Sequence, residues 1–177
     1  IMSDVPGDDP DVIGSGPTWP DASTLADAKA VLAHYGIVPA PSIRARLNAP
    51  DAETSKPGDP VFENATFQMI ATPQASLEAA RDMVIKAGLS APILSDRIEG
   101  EARDVAKVLG ALALATSAKG DPFSSPAVLL SGGETTVTVR GSGRGGRNVE
   151  FLLSLAITLD GAEGISAIAC DTDGIDG

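Results

Sequence analysis

Apolar positions three and four residues apart mark the longest ordered segments of this chain. Leu77, Ala80, Val84 and Ala87 form one stripe, entered through Thr72-Pro73 and ended by Gly88, so the spacing predicts a helix with proline in its first turn. Ala102, Val105, Ala106, Leu109 and Ala113 predict a second helix over residues 101–117, and the apolar run 149–159 predicts a third. Leu25, Ala28, Leu32 and Tyr35 predict a fourth, capped near Asp21 and stopped at Gly36. Short apolar runs at 65–71, 91–94, 128–130 and 165–170 read as strands. The alternating run 135–140 suits an edge or antiparallel strand. Between 37 and 60 lie Pro39, Pro41, Pro50, Pro57 and Pro60, which predict an irregular stretch with one short helix near 42–47 and a domain boundary at its end. Strands alternating with helices predict a three-layer α/β/α architecture around a mixed sheet.

Composition narrows the core and the partners. Of 177 residues, 43% are hydrophobic but only 3% aromatic, so the core must be aliphatic. The net charge of −11, from 24 acids and 13 bases, argues against nucleic acid or an anionic membrane as the main partner. It does not argue against a small anion held by a local pair of arginines. No apolar run approaches the roughly 18 residues of a membrane span, and no signal peptide is visible. Cys170 is the single cysteine, which fits a reducing, cytoplasmic setting, and one cysteine with one histidine removes nearly all zinc-site arrangements. The chain opens on Ile1-Met2 and stops inside DTDGIDG, as a piece of a longer protein would.

Charge and glycine concentrate in GSGRGGRN, residues 141–148. Gly143, Gly145 and Gly146 leave backbone N–H groups open, Arg144 and Arg147 offer forked donors, and a helix starting near Asn148 would aim its N-terminal donors at the same anion. Gly141, Gly143 and Gly146 also match the dinucleotide spacing G-x-G-x-x-G. The preceding alternating run is unlike a doubly buried Rossmann strand, however, and two arginines crowd the turn. Ser131, Gly132, Gly133 and Glu134 read as a second phosphate-contacting turn or as a hairpin.

Acids gather in two other loops. Asp171, Asp173 and Asp176 follow an expected strand end, where ligand sites of α/β sheets lie, and clustered carboxylates there suit Mg²⁺ or a base for a hydroxyl. The opening loop supplies Asp4, Asp8 and Asp9. His34, the proton shuttle a hydroxy-acid dehydrogenase would want, sits outside every motif as a surface residue. Phosphoryl transfer needs no histidine; it needs donors around phosphates, a divalent ion and a base. The parts therefore lean towards a kinase.

In their order along the chain, SDVPGDDPDVIGSGPT, GEARDVA, LLSGGETTVTV, GRGGRNVEF and DTDGIDG resemble the class II glycerate kinases, whose C-terminal part is the MOFRL domain. The resemblance implies a glycerate 2-kinase that converts D-glycerate and ATP, with Mg²⁺, to 2-phosphoglycerate and ADP in a cleft between two α/β domains. It implies that residues 1–60 end the first domain and 61–177 form most of the second. It matches the catalytic positions to Arg147, Asp4 and Asp173, with Arg144 as the other arginine, and the metal-side acids to Asp8 and Asp176. Members are also called hydroxypyruvate reductases, a name tied to tartrate degradation. An NAD(P)H-dependent reductase and a non-catalytic anion-binding module therefore stay open beside the kinase, as does a homo-oligomer. The family's glycine-rich nucleotide region and its lysine have no match here, so the isolated chain is expected to be inactive.

Overall fold

The computed structural model describes the whole chain except Asp173, Ile175 and Gly177. Two compact units emerge, one formed by Asp8–Gln68 and the other by Ile1–Gly7 with Met69–Gly177.

The smaller unit carries α1 (Leu25–His34) and α2 (Pro41–Leu47). Helix α1 starts from a capping box, in which the Asp27 N–H donates to the Thr24 hydroxyl at 3.2 Å and the Thr24 N–H donates to the Asp27 carboxylate at 2.9 Å. Asp21, the expected cap, instead accepts from the Ser23 and Thr54 hydroxyls at 2.7 and 2.8 Å. No residue of α1 is buried, and Tyr35 is 71% exposed, so the stripe read from the sequence does not pack into a core. Glu53 bridges Lys56 at 2.7 Å and accepts from the Leu25 N–H, while Trp19 meets Phe67 edge-on at 5.0 Å.

In the larger unit, α3 (Pro73–Lys86) begins as expected, its Ala75 N–H donating to the Thr72 hydroxyl at 3.1 Å. Strand β1 (Ile93–Glu101) is longer than the sequence pattern indicates and runs directly into α4 (Ala102–Lys119), which Gly120 ends in a left-handed conformation. Strand β2 (Leu130–Thr136) lies parallel to β1, from Ile93 opposite Leu130 to Glu101 opposite Thr136, with two irregularities in register. Helix α5 (Arg147–Leu159) packs on α4 at Gly110, where a side chain would press on Thr158 and Leu155. Ala102, Ala106 and Leu155 are buried in this unit.

These elements make an α/β arrangement, with α3 and α4 packed on a parallel strand pair in place of the expected mixed sheet. The physical reason is Gly133. It stands opposite Ile98 with φ +147°, and a Cβ there would overlap the Ile98 backbone. The glycine pair is therefore part of a strand, not a turn between two strands. Residues 65–71 give only an isolated parallel bridge between Met2 and Ala71, and 165–170 join no ladder among the described residues. Cys170, whose small side chain suggests burial, is exposed. No helix among the described residues is long and apolar enough to cross a membrane.

Candidate active site

Three segments of the larger unit meet at Arg147. As the first residue of α5, it projects its guanidinium between two carboxylates: Nη1 pairs with Glu134 on β2, and Nη2 lies 3.0 Å from Asp171. Asp171 is the better shielded partner, its side chain 11% exposed, whereas Glu134 remains 46% exposed. Screening by water makes the Glu134 pair a modest contributor to stability. Its directional effect is larger, because a guanidinium held at both terminal nitrogens has a fixed plane.

The start of α5 has no side-chain cap of its own, since Gly146 stands at the N-cap. Asp176 supplies one from the C-terminal loop. Its carboxylate accepts from the Asn148 N–H at 3.1 Å, the Asn148 side-chain amide at 3.3 Å and the Val149 N–H at 2.8 Å. Burial pushes this carboxyl up, but the hydrogen bonds from Val149 and Asn148 outweigh it and hold Asp176 below the usual carboxylate range. An anion already sits where the helix N-terminus favours one.

Beyond Arg147 the glycine loop borders a groove of about 620 Å³, with Val139, Leu153 and Ile157 along it and Arg140, Gly143 and Arg144 at the loop side. The stem of this loop is fixed at Thr138, whose hydroxyl and N–H both donate to Glu101 at the junction of β1 and α4. The Thr138 hydroxyl is the main reason the Glu101 carboxyl lies below its ordinary range. Arg103 is paired with Glu150 at 2.8 Å. Arg144 has no hydrogen bond or ion pair among the described residues, so its charge is open to a ligand.

Of the residues singled out from the sequence, the structure brings Arg147, Asn148 and Asp176 into one network, and Gly143, Arg144, Gly145 and Gly146 along the groove. Ser131, Gly132 and Gly133 lie within β2. Gly133 is required there by the approach to Ile98. Asp4 is exposed in the larger unit, with no hydrogen bond or ion pair to Arg147. Asp8 belongs to the smaller unit, with a left-handed backbone and a shielded Oδ1 that finds no partner among the described residues. Asp173 lies outside the described residues. No cluster of three or more potential metal ligands forms among the described residues, and both Asp176 oxygens already serve α5. Among the described residues Asp176 is thus engaged in capping α5. Sequence reading places Glu134 only as the last residue of a turn and gives its carboxylate no role; the usable signal is an acid near the end of a glycine-containing strand, ahead of a loop with two arginines.

Comparison with other proteins gives this geometry a context. Residues 127–177 match the MOFRL family and residues 1–48 match a domain of unknown function, DUF4147. Over its full length the chain is 53% identical to 40% of an Agrobacterium vitis protein that bears the provisional name hydroxypyruvate reductase. It is 38% identical over 177 residues to 41% of the D-glycerate 2-kinase of Thermotoga maritima. The crystal structure of a glycerate kinase from Thermotoga maritima superposes on 92% of this chain and 38% of its own length, with a TM-score of 0.72 and 40% identity. The chain thus spans about two-fifths of the length of these relatives.

Proposed function

Since this chain is a relative of the glycerate kinases in both sequence and fold, we propose that the protein transfers a phosphoryl group from ATP to D-glycerate, giving 2-phosphoglycerate, and that this chain supplies its anion-holding elements. The observation that carries the reading is the arginine–glycine loop at the start of α5: Arg144 has no hydrogen bond or ion pair among the described residues, and the Arg147 guanidinium is held in place by Glu134 and Asp171. Such donors suit the phosphoryl group in flight or the glycerate carboxylate, because charge spread over several oxygens is stabilised by groups already aimed at it. In this reading Arg147 and Arg144 neutralise the anion, while Gly143, Gly145 and Gly146 line its seat and Asn148 stays engaged with Asp176. Asp4 or Asp173 takes the hydroxyl proton. The family resemblance also implies Mg²⁺, for which the described residues gather no cluster of three or more ligands.

A reductase has weaker support. The glycine spacing G-x-G-x-x-G does not follow directly on a strand, since β2 ends at Thr136 and ten residues precede α5. His34 is exposed on α1 and lies against Tyr35, with ring centroids 4.8 Å apart.

The deciding measurement uses the full-length gene product with D-glycerate, ATP and Mg²⁺, following ADP release, beside a parallel reaction with hydroxypyruvate and NADH. ADP release that depends on glycerate is the expected result. NADH consumption without ADP release would replace the kinase by the reductase.

A further inference from the structure

We infer that Glu134 is a positioning residue: with Asp171 it sets the plane of the Arg147 guanidinium against the anion of the substrate. This rests on the kinase reading above and assigns a role to a side chain that the glycine–arginine motif does not contain. Three observations carry it. Glu134 and Asp171 come from separate segments, β2 and the C-terminal loop, and engage different terminal nitrogens of one guanidinium. The backbone at Glu134 is itself well placed, because it lies next to Gly133 in the ladder and opposite Glu99 on β1. Asp176 pins the first turn of α5, so the Cα of Arg147 is anchored while its side chain is aimed. The guanidinium keeps further N–H donors for an incoming oxygen, and their direction is dictated by the two that are occupied.

Electrostatics and positioning predict opposite signs, which makes the inference testable. Glu134 is negative and stands beside the proposed anion seat. If charge alone mattered, Glu134→Gln would strengthen anion binding. If Glu134 aims Arg147, the same substitution lets the guanidinium swing and slows turnover, on the order of tenfold to a hundredfold, since small misplacements of a catalytic group carry such costs.

The experiment compares the unsubstituted full-length protein with E134Q and E134D. It measures kcat and KM for ATP and glycerate, thermal midpoints, and the dissociation constant for inorganic pyrophosphate. The expected result is a fall in kcat for E134Q, partial recovery in E134D and a nearly unchanged thermal midpoint. Should E134Q fail to fold, E134D carries the test, and its shorter carboxylate must still lower kcat. Kinetics within twofold of the unsubstituted protein in each variant that folds would overturn the inference and leave the kinase reading intact. If the unsubstituted protein turns over no ATP with glycerate, the kinase reading fails instead. Pyrophosphate then decides for Glu134: weaker binding in E134Q sustains the aiming role, and equal or tighter binding overturns it. If E134Q is unfolded in that case, E134D decides by the same rule.

Discussion

The two units of this chain are held together by different chemistry. In the larger one, α4 and α5 pack through Gly110, Ala106 and Leu155, and β1 and β2 approach so closely that position 133 must be glycine. The smaller one has Ile13 as its single buried apolar residue and relies on a polar lattice of Asp21, Thr24, Asp27, Glu53, Thr54 and Lys56. Close packing penalises any added volume, whereas an exposed polar lattice depends on the charge state of its members. The candidate site belongs to the first kind of scaffold, which suits the holding of a guanidinium in one direction.

The contrast breaks most sharply at Gly133. Its backbone conformation is left-handed and its Cβ direction is blocked by Ile98, so Gly133→Ala should cost about 3 kcal/mol, read by urea denaturation. Gly110→Val should come next, at about 2 kcal/mol, because the added methyls meet Thr158 and Leu155 across the helix pair. Asp176→Ala removes a cap and should cost about 1 kcal/mol. The Asp176 contribution has a definite pH dependence: the folded carboxyl lies below its ordinary range, so it is present at neutral pH and disappears as pH falls through the lowered value.

The smaller unit gives the subtler effect. Hydrogen bonds from Ser23 to Asp21, from Thr24 to Asp27 and from Lys56 to Glu53 hold all three carboxyls below their usual range. Their contribution is complete at neutral pH and fades under acid conditions, below about pH 4. Trp19, the sole tryptophan, lies in this unit beside Phe67, so its fluorescence should change there before the α4–α5 pair melts. Simultaneous loss of both signals would show that the two scaffolds do not differ in acid sensitivity.

Helices were legible because their punctuation is local. Thr72-Pro73 opens α3, the stripe from Ala102 to Ala113 becomes α4, and the apolar run 149–159 becomes most of α5, although the cap expected near Asp21 is made by Thr24. Strands were harder, because pairing depends on a distant partner. SGGETT resembles a turn in isolation, and only its ladder with β1 explains the glycines. Alternation at 135–140 pointed to a separate strand, but Thr138 turns instead to bind Glu101. In the candidate site the arginines and glycines were readable from composition and spacing. The roles of Glu134 and Asp171 were not, since they arise from three segments distant in sequence meeting at one side chain.

Cys170 has a practical consequence. It is the sole thiol, it is exposed, and it directly precedes the aspartate that grips Arg147. On this chain a thiol-directed fluorophore would therefore attach at one address. Placed there, the dye would register occupancy of the arginine–glycine loop as a change in brightness, giving a ligand titration that needs no turnover at all.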